Sequence, residues 1–212
     1  MAKAAIFDID GTLAPHTSWT TLTKDLGADP EEHERIFRKY REGKLAYDEA
    51  RRRLIDLWKA TGNATRPSFE AIFRAWPLRD GAESLFDYLH DGHYLTCLIT
   101  GSMDLYAAAV AQRLGADRYY ANTELVWDGN GVLADMHYEA DQGAKKVRQL
   151  AEFCEAYGLK EADCVAVGDG ENDIPIFLKT GMGIALRGES SPRLEAVAWR
   201  SVENLAAIKG LL

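Results

Sequence analysis

Two carboxylates one residue apart, in Asp8-Ile9-Asp10-Gly11-Thr12-Leu13, follow directly on the apolar run Ala4-Ala5-Ile6-Phe7. Burying an unpaired charge is costly, so packing accounts poorly for two acids at the end of a buried run. Side by side, like charges raise one pKa, and one carboxyl can stay an acid while its neighbour is ionised. A bare D-x-D also suits a plain Asp-rich turn, and the pair alone leaves both readings open.

Further acids come from a distant segment, Gly168-Asp169-Gly170-Glu171-Asn172-Asp173, after the apolar run Cys164-Val165-Ala166-Val167. Hard oxygen ligands gathered at one edge suit Mg²⁺, which takes carboxylates, waters and phosphate oxygens. An EF-hand fails here because Asp173 runs straight into Ile174-Pro175-Ile176-Phe177, without the ligand spacing such a loop needs. Between the two acidic segments, Thr100-Gly101-Ser102 offers a hydroxyl and backbone N–H groups at an expected helix start, either a phosphate cradle or an ordinary N-cap. A cation is needed to offset charge on a transferring phosphoryl group. Lys145 and Lys146 open a helical pattern where acids are usually favoured.

The elements that must position these groups can be read from the apolar runs. Those at 4–7, 94–99, 164–167 and 183–186 are continuous rather than alternating, as in strands buried on both faces of a parallel sheet. Helical patterns at 103–114 and 144–157 have crossover spacing. The expected fold is α/β, a doubly wound parallel sheet that binds ligands at the carboxyl ends of its strands. Helical patterns at 19–26, 30–41, 47–61 and 67–76 fill a strand-free segment after the first strand. Residues 15–78 are expected to form a small helical cap, with 1–14 and 79–212 as the catalytic core. Leu125-Val126-Trp127 and Val132-Leu133 flank Asp128-Gly129-Asn130-Gly131 as a hairpin.

Composition narrows the function classes. Of 212 residues 47% are apolar, enough for a substantial core, and the net charge of −8 argues against non-specific nucleic-acid binding. No run approaches the length of a membrane helix, and the stretch before Asp8 is too short for a signal peptide. Cys97, Cys154 and Cys164 suit free core thiols of a cytoplasmic protein. The expected partner is a small phosphorylated metabolite, without nucleic acid, membrane or an evident protein partner.

Asp8-x-Asp10-Gly-Thr-Leu, Leu98-Ile99-Thr100-Gly101, a lysine and Gly168-Asp169-Gly170-x-Asn172-Asp173 follow the motif order of the haloacid dehalogenase superfamily. The helical insert, Glu42-Gly43-Lys44-Leu45-x-Tyr47 and Ala121-Asn122-x-x-Leu125 resemble its phosphoserine-phosphatase-like branch. The resemblance implies a Mg²⁺-dependent phosphate-monoester hydrolase working through an aspartyl-phosphate. Asp8 would be the nucleophile and a metal ligand; Asp10 would be the general acid/base, its backbone carbonyl also on the metal. Thr100 and Lys146 would hold the phosphoryl oxygens, Lys146 being chosen because it precedes the apolar Val147. Asp169 would bind the metal directly, with Asn172 and Asp173 supporting its waters and the lysine.

The likeness to serine-specific members stops at the substrate. The position of their amine-binding acid is Thr17, that of their carboxylate-binding arginine is Leu54, and that of a pocket methionine is Arg41. Arg51, Arg52 and Arg53 adjoin Leu54 but point elsewhere at about 100° per residue. Arg41 and Tyr47, with Thr17, Gly101 and Ser102, are the expected substrate contacts. His16 is a surface-loop or pocket-mouth residue, and the tryptophans are expected to pack helices and hairpin, with Trp19 the one lid candidate. A phosphotransferase or mutase, phosphoserine hydrolysis proper and a non-catalytic binding module are the alternatives.

Overall fold

The computed structural model describes residues 3–212; Met1 and Ala2 lie outside the described residues. The chain opens with β1 (Ala4–Phe7), followed by four helices: α1 (Ser18–Asp25), α2 (Pro30–Arg41), α3 (Tyr47–Lys59) and α4 (Arg66–Ala75). It continues through α5 (Ala82–Asp91), β2 (Leu95–Met103), α6 (Asp104–Leu114), β3 (Arg118–Trp127) and β4 (Leu133–His137). The last part is α7 (Gln142–Tyr157), β5 (Cys164–Gly168), α8 (Ile174–Thr180), β6 (Gly183–Leu186), α9 (Pro192–Glu195) and β7 (Arg200–Val202).

The strands form one sheet in the order β4-β3-β2-β1-β5-β6-β7. β1 lies parallel between β2 and β5, pairing Phe7 with both Leu98 and Val167. The chain winds outward from β1 through β2 and β3, then restarts at β5 on its other side. The topological switch point therefore falls between β1 and β5, where such sheets open a crevice beyond the strand ends. Alternate residues of β1 serve opposite faces. Ala5 and Phe7 join Phe86, Tyr106 and Trp58, whereas Ala4 and Ile6 join Leu150, Phe153 and Phe177. Burial on both sides explains why the run is continuously apolar.

Several elements depart from expectation. β2 does not end before Thr100-Gly101-Ser102 but runs through it to Met103, because Thr100 pairs with Ala121 and Met103 with Thr123 across a register shift. The helix starts at Asp104, so those residues are not its N-cap. β3 is longer than the expected hairpin arm: its first half pairs parallel with β2 and its second antiparallel with β4. α5, α9 and β7 have no counterpart among the expected elements.

α1 to α4 lie between Leu13 and Arg79, and the Arg79 amide donates to the Leu13 carbonyl at 2.8 Å. Trp58, fully buried, ties this group together by donating from Nε1 to Thr23 Oγ1 at 2.8 Å. The hairpin turn also joins it: Arg66 N donates to Gly131 O at 2.8 Å and Leu133 N to Ala64 O at 2.9 Å.

Candidate active site

Asp8 stands just past β1, its amide donating to Val167 O at 3.0 Å. Ladder pairing with β5 thereby sets it level with the Gly168-Asp169 turn. The chain then folds sharply, with Ile9 O accepting from Thr12 N at 3.1 Å and from Ala14 N at 2.9 Å. Gly11 makes this possible with φ +73°, a conformation side chains resist, and a Cβ there would collide with the Asp169 carboxylate. Thr12 Oγ1, in turn, donates to Asp169 Oδ1 at 2.7 Å.

Lys146 reaches this edge from the first turn of α7 and is 1% exposed. Its Nζ lies 3.0 Å from Asp8 Oδ2 and 2.6 Å from Asp173 Oδ1. Lys145 turns away from the cluster and donates to Asn122 O at 2.9 Å. Asp8, Asp169 and Asp173 each present a carboxylate oxygen within 4.8 Å of the others. Asp173 also accepts from Gly170 N at 3.1 Å, and Asn172 Nδ2 donates to Gln142 Oε1 at 2.8 Å.

One lysine thus faces four carboxyls. Burial, reinforced by the charge of Asp8, pushes Asp169 up to about 7. Burial likewise raises Asp10 to about 7, with the Ser18 hydroxyl pulling the other way and Asp8 adding to the rise. Burial alone would lower the lysine's pKa, but Asp173 and Asp8 outweigh it and hold the ammonium charged. An excess of buried oxygen donors over cations, with no nitrogen or sulfur among them, fits a hard divalent ion.

Ser18, absent from the expected site residues, stands beside Asp10. Its Oγ and amide both donate to Asp10 Oδ2, at 2.6 and 3.0 Å, and Oγ meets Ser102 Oγ at 2.5 Å. Asp10 Oδ1 is buried without a hydrogen-bond partner among the described residues. Nothing in a single sequence marks Ser18 beyond its place at a helix start. Thr100 is fully buried at the same edge, its hydroxyl accepting from Ser102 N at 3.1 Å. Gly101 adjoins Gln142 and Asn172.

Beside this cluster is a cavity of about 290 Å³ bounded by α1, α2, α3, the β4 strand and the start of α7. Thr17, Tyr47, Leu54 and Arg51 line it, whereas Arg41 is exposed at the end of α2, over the Phe37 ring at 4.7 Å. Arg52 and Arg53 pair with Glu49 on the outer face. Trp19 stacks on Trp58 and lines the cavity, and Trp127 packs its edge on Phe69, both as expected of packing aromatics. His16 is not a free loop residue: its ring meets Trp76 at 4.8 Å, and burial lowers its pKa. The three cysteines are buried and free.

An acid pair at a switch point, a buried lysine and an oxygen-rich cluster define a phosphoryl-transfer enzyme of the α/β class. The model of the haloacid dehalogenase-like hydrolases matches residues 5–178, and the chain belongs to that family. It is a phosphatase, of the phosphoserine-phosphatase-like branch. A phosphoserine phosphatase of Methanocaldococcus jannaschii is 31% identical over 183 residues, covering 86% of this chain and 84% of that protein. One from Streptococcus thermophilus is 27% identical, covering 90% and 86%. A solved phospho-aspartyl intermediate analogue of phosphoserine phosphatase superposes with a TM-score of 0.77 at 26% identity, over 100% of this chain and 99% of its own.

Proposed function

We propose that the chain hydrolyses the phosphate monoester of a small metabolite by way of an aspartyl-phosphate on Asp8, with Mg²⁺ as its metal. The carrying observation is the Lys146 ammonium placed 3.0 Å from Asp8 Oδ2 at the switch point of the sheet. An oxygen of Asp8 attacks phosphorus, the P–O bond to the alcohol breaks, and Asp10 supplies the proton that the departing alkoxide takes up. Water then attacks the acyl phosphate, Asp10 takes its proton, and inorganic phosphate leaves with Asp8 restored.

Lys146 and Thr100, with Gly101 and Ser102 beside them, hold the phosphoryl oxygens; Ser18 keeps Asp10 aimed. Asp8, Asp169 and the Asp10 carbonyl would hold the ion, with Asp173 and Asn172 behind them. When bound, it offsets charge on the phosphoryl group. Residues 15–78 act as a cap domain, a reading supported by the Arg79–Leu13 backbone bond at its base. Free buried thiols support a cytoplasmic location. No described helix is long and apolar enough to cross a membrane. The test is turnover of p-nitrophenyl phosphate by Asp8→Asn: loss is expected, and retained turnover would overturn the nucleophile. Phosphoserine, the substrate in the relatives' names, is the reference compound for comparing natural esters.

A further inference from the structure

The cavity beside the catalytic cluster is large, and its walls say what can occupy it. It touches the reaction centre at two points. Thr17 precedes Ser18, which holds Asp10, and Gln142 accepts from Asn172. A substituent on a phosphate seated at Asp8 therefore extends into this space. At the ~30 Å³ each water takes in the liquid, there is room for roughly ten non-hydrogen atoms.

The walls are aromatic and aliphatic. Tyr138 stacks on Tyr47 with ring centroids 6.1 Å apart and meets the edge of Trp19 at 6.3 Å. Leu54, Ile36 and Met136 supply aliphatic surface. Two charged side chains line the space among the described residues. Arg51 is engaged through its two terminal nitrogens by Asp135 at 3.2 Å, by Asp48 at 3.4 Å and by the Met136 carbonyl at 3.3 Å, while its Nε is buried without a hydrogen-bond partner among the described residues. Glu34 is exposed and accepts from Thr20 Oγ1 at 3.1 Å. His33 is committed to Thr23 at 2.5 Å. A substrate carboxylate would thus meet in the lining only a guanidinium already paired with two carboxylates, and desolvating a carboxylate without a full partner is costly. The Tyr47 hydroxyl is buried and has no hydrogen-bond partner among the described residues, which makes it a neutral polar handle.

Building on the phosphatase reading, we propose that the cavity selects phosphate monoesters of uncharged, predominantly apolar alcohols, aryl-alkyl or branched, over the zwitterionic phosphoserine. The ester's apolar body rests between Tyr47, Tyr138 and Leu54, and the Tyr47 hydroxyl can bond a single neutral oxygen.

A set of primary-alcohol esters keeps the leaving group comparable: 2-phenylethyl phosphate, ethyl phosphate, O-phosphoserine, phosphocholine and its neutral isostere 3,3-dimethylbutyl phosphate. The expected kcat/KM for 2-phenylethyl phosphate exceeds those for ethyl phosphate and phosphoserine by on the order of 10- to 100-fold, the range for burying one large apolar group. Leu54→Arg, which places a cation in the wall, should lower the phenylethyl-to-phosphoserine ratio at least about tenfold. That ratio is insensitive to partial loss of folded protein. Phosphoserine equalling or surpassing the phenylethyl ester in the wild type would overturn the inference. So would phosphocholine surpassing its neutral isostere, which would make the aromatic walls a cation site with Glu34. If p-nitrophenyl phosphate is turned over in an Asp8-dependent way while phosphoserine is preferred, only the substrate class fails. If Asp8→Asn leaves that turnover intact, the phosphatase chemistry assigned to Asp8 fails instead.

Discussion

Ser18 Oγ donates to Asp10 Oδ2 at 2.6 Å, binding the first residue of the inserted helices to the acid proposed to handle protons. The same hydroxyl meets Ser102 at 2.5 Å, so one side chain links β1's loop, α1 and β2. Aim at Asp10 thus depends on the position of α1. Ser18→Ala should lower kcat on the order of tenfold with little change in KM, since aligned proton transfer contributes about 10²–10⁴-fold in all. Steady-state kinetics on p-nitrophenyl phosphate check this, and an unchanged kcat would remove Ser18 from the mechanism.

The two lysines of α7 separate cleanly by mutation. Lys146→Met should reduce kcat by about 10³-fold or more, as for other groups that stabilise developing charge, whereas Lys145→Met stays within a few-fold. In EDTA, Lys146→Met also leaves Asp8 and Asp173 facing each other without their cation. Removing one partner of a buried pair costs about 3–5 kcal/mol, so its melting temperature should drop well below that of the wild type. Equal activities for the two variants would contradict the assignment.

Chelation should abolish turnover, and Mg²⁺ should restore it. Because the ion binds the folded cluster and not the unfolded chain, Mg²⁺ should raise the melting temperature in a concentration-dependent way. Asp169→Asn should weaken that rise. A thermal shift indifferent to Mg²⁺ would argue against the carboxylate cluster as its site.

His33 gives the cap a pH dependence of known sign. Burial lowers its pKa from the ordinary imidazole value. Its stabilisation is therefore fully present above about pH 6.5, and it is lost as pH falls, because the unfolded chain takes up the proton first. Raised carboxyls such as Asp10 and Asp169 act in the opposite direction, so the informative quantity is the wild type minus His33→Gln. That difference in melting temperature should shrink between pH 7.5 and 5.5. A constant difference would show that His33 has the same pKa in the folded and unfolded states.

Much of the centre was legible because each acidic motif follows an apolar run that must be a buried strand. Asp8 and Asp169 are then brought together by the order of a parallel sheet. What escaped has physical causes. Residues 118–121 are Arg-Tyr-Tyr-Ala, without an apolar run, and are a strand only because β2 offers its edge. Thr100-Gly101-Ser102 looks like a helix start until the pairing of Thr100 with Ala121 draws it into the sheet. Ser18, Tyr138 and Gln142 act through contacts across the fold and carry no local signature. Arg41 is exposed at the end of α2, its guanidinium over the ring of Phe37, a residue of the cavity wall.

The most direct test of the account is intact-protein and peptide mass analysis after rapid acid quenching of the wild type with p-nitrophenyl phosphate and Mg²⁺. The account predicts the mass increment of one phosphoryl group on the peptide bearing Asp8, labile to base and absent from Asp8→Asn. Turnover with the phosphoryl group found on another residue, or still proceeding in Asp8→Asn, would contradict it.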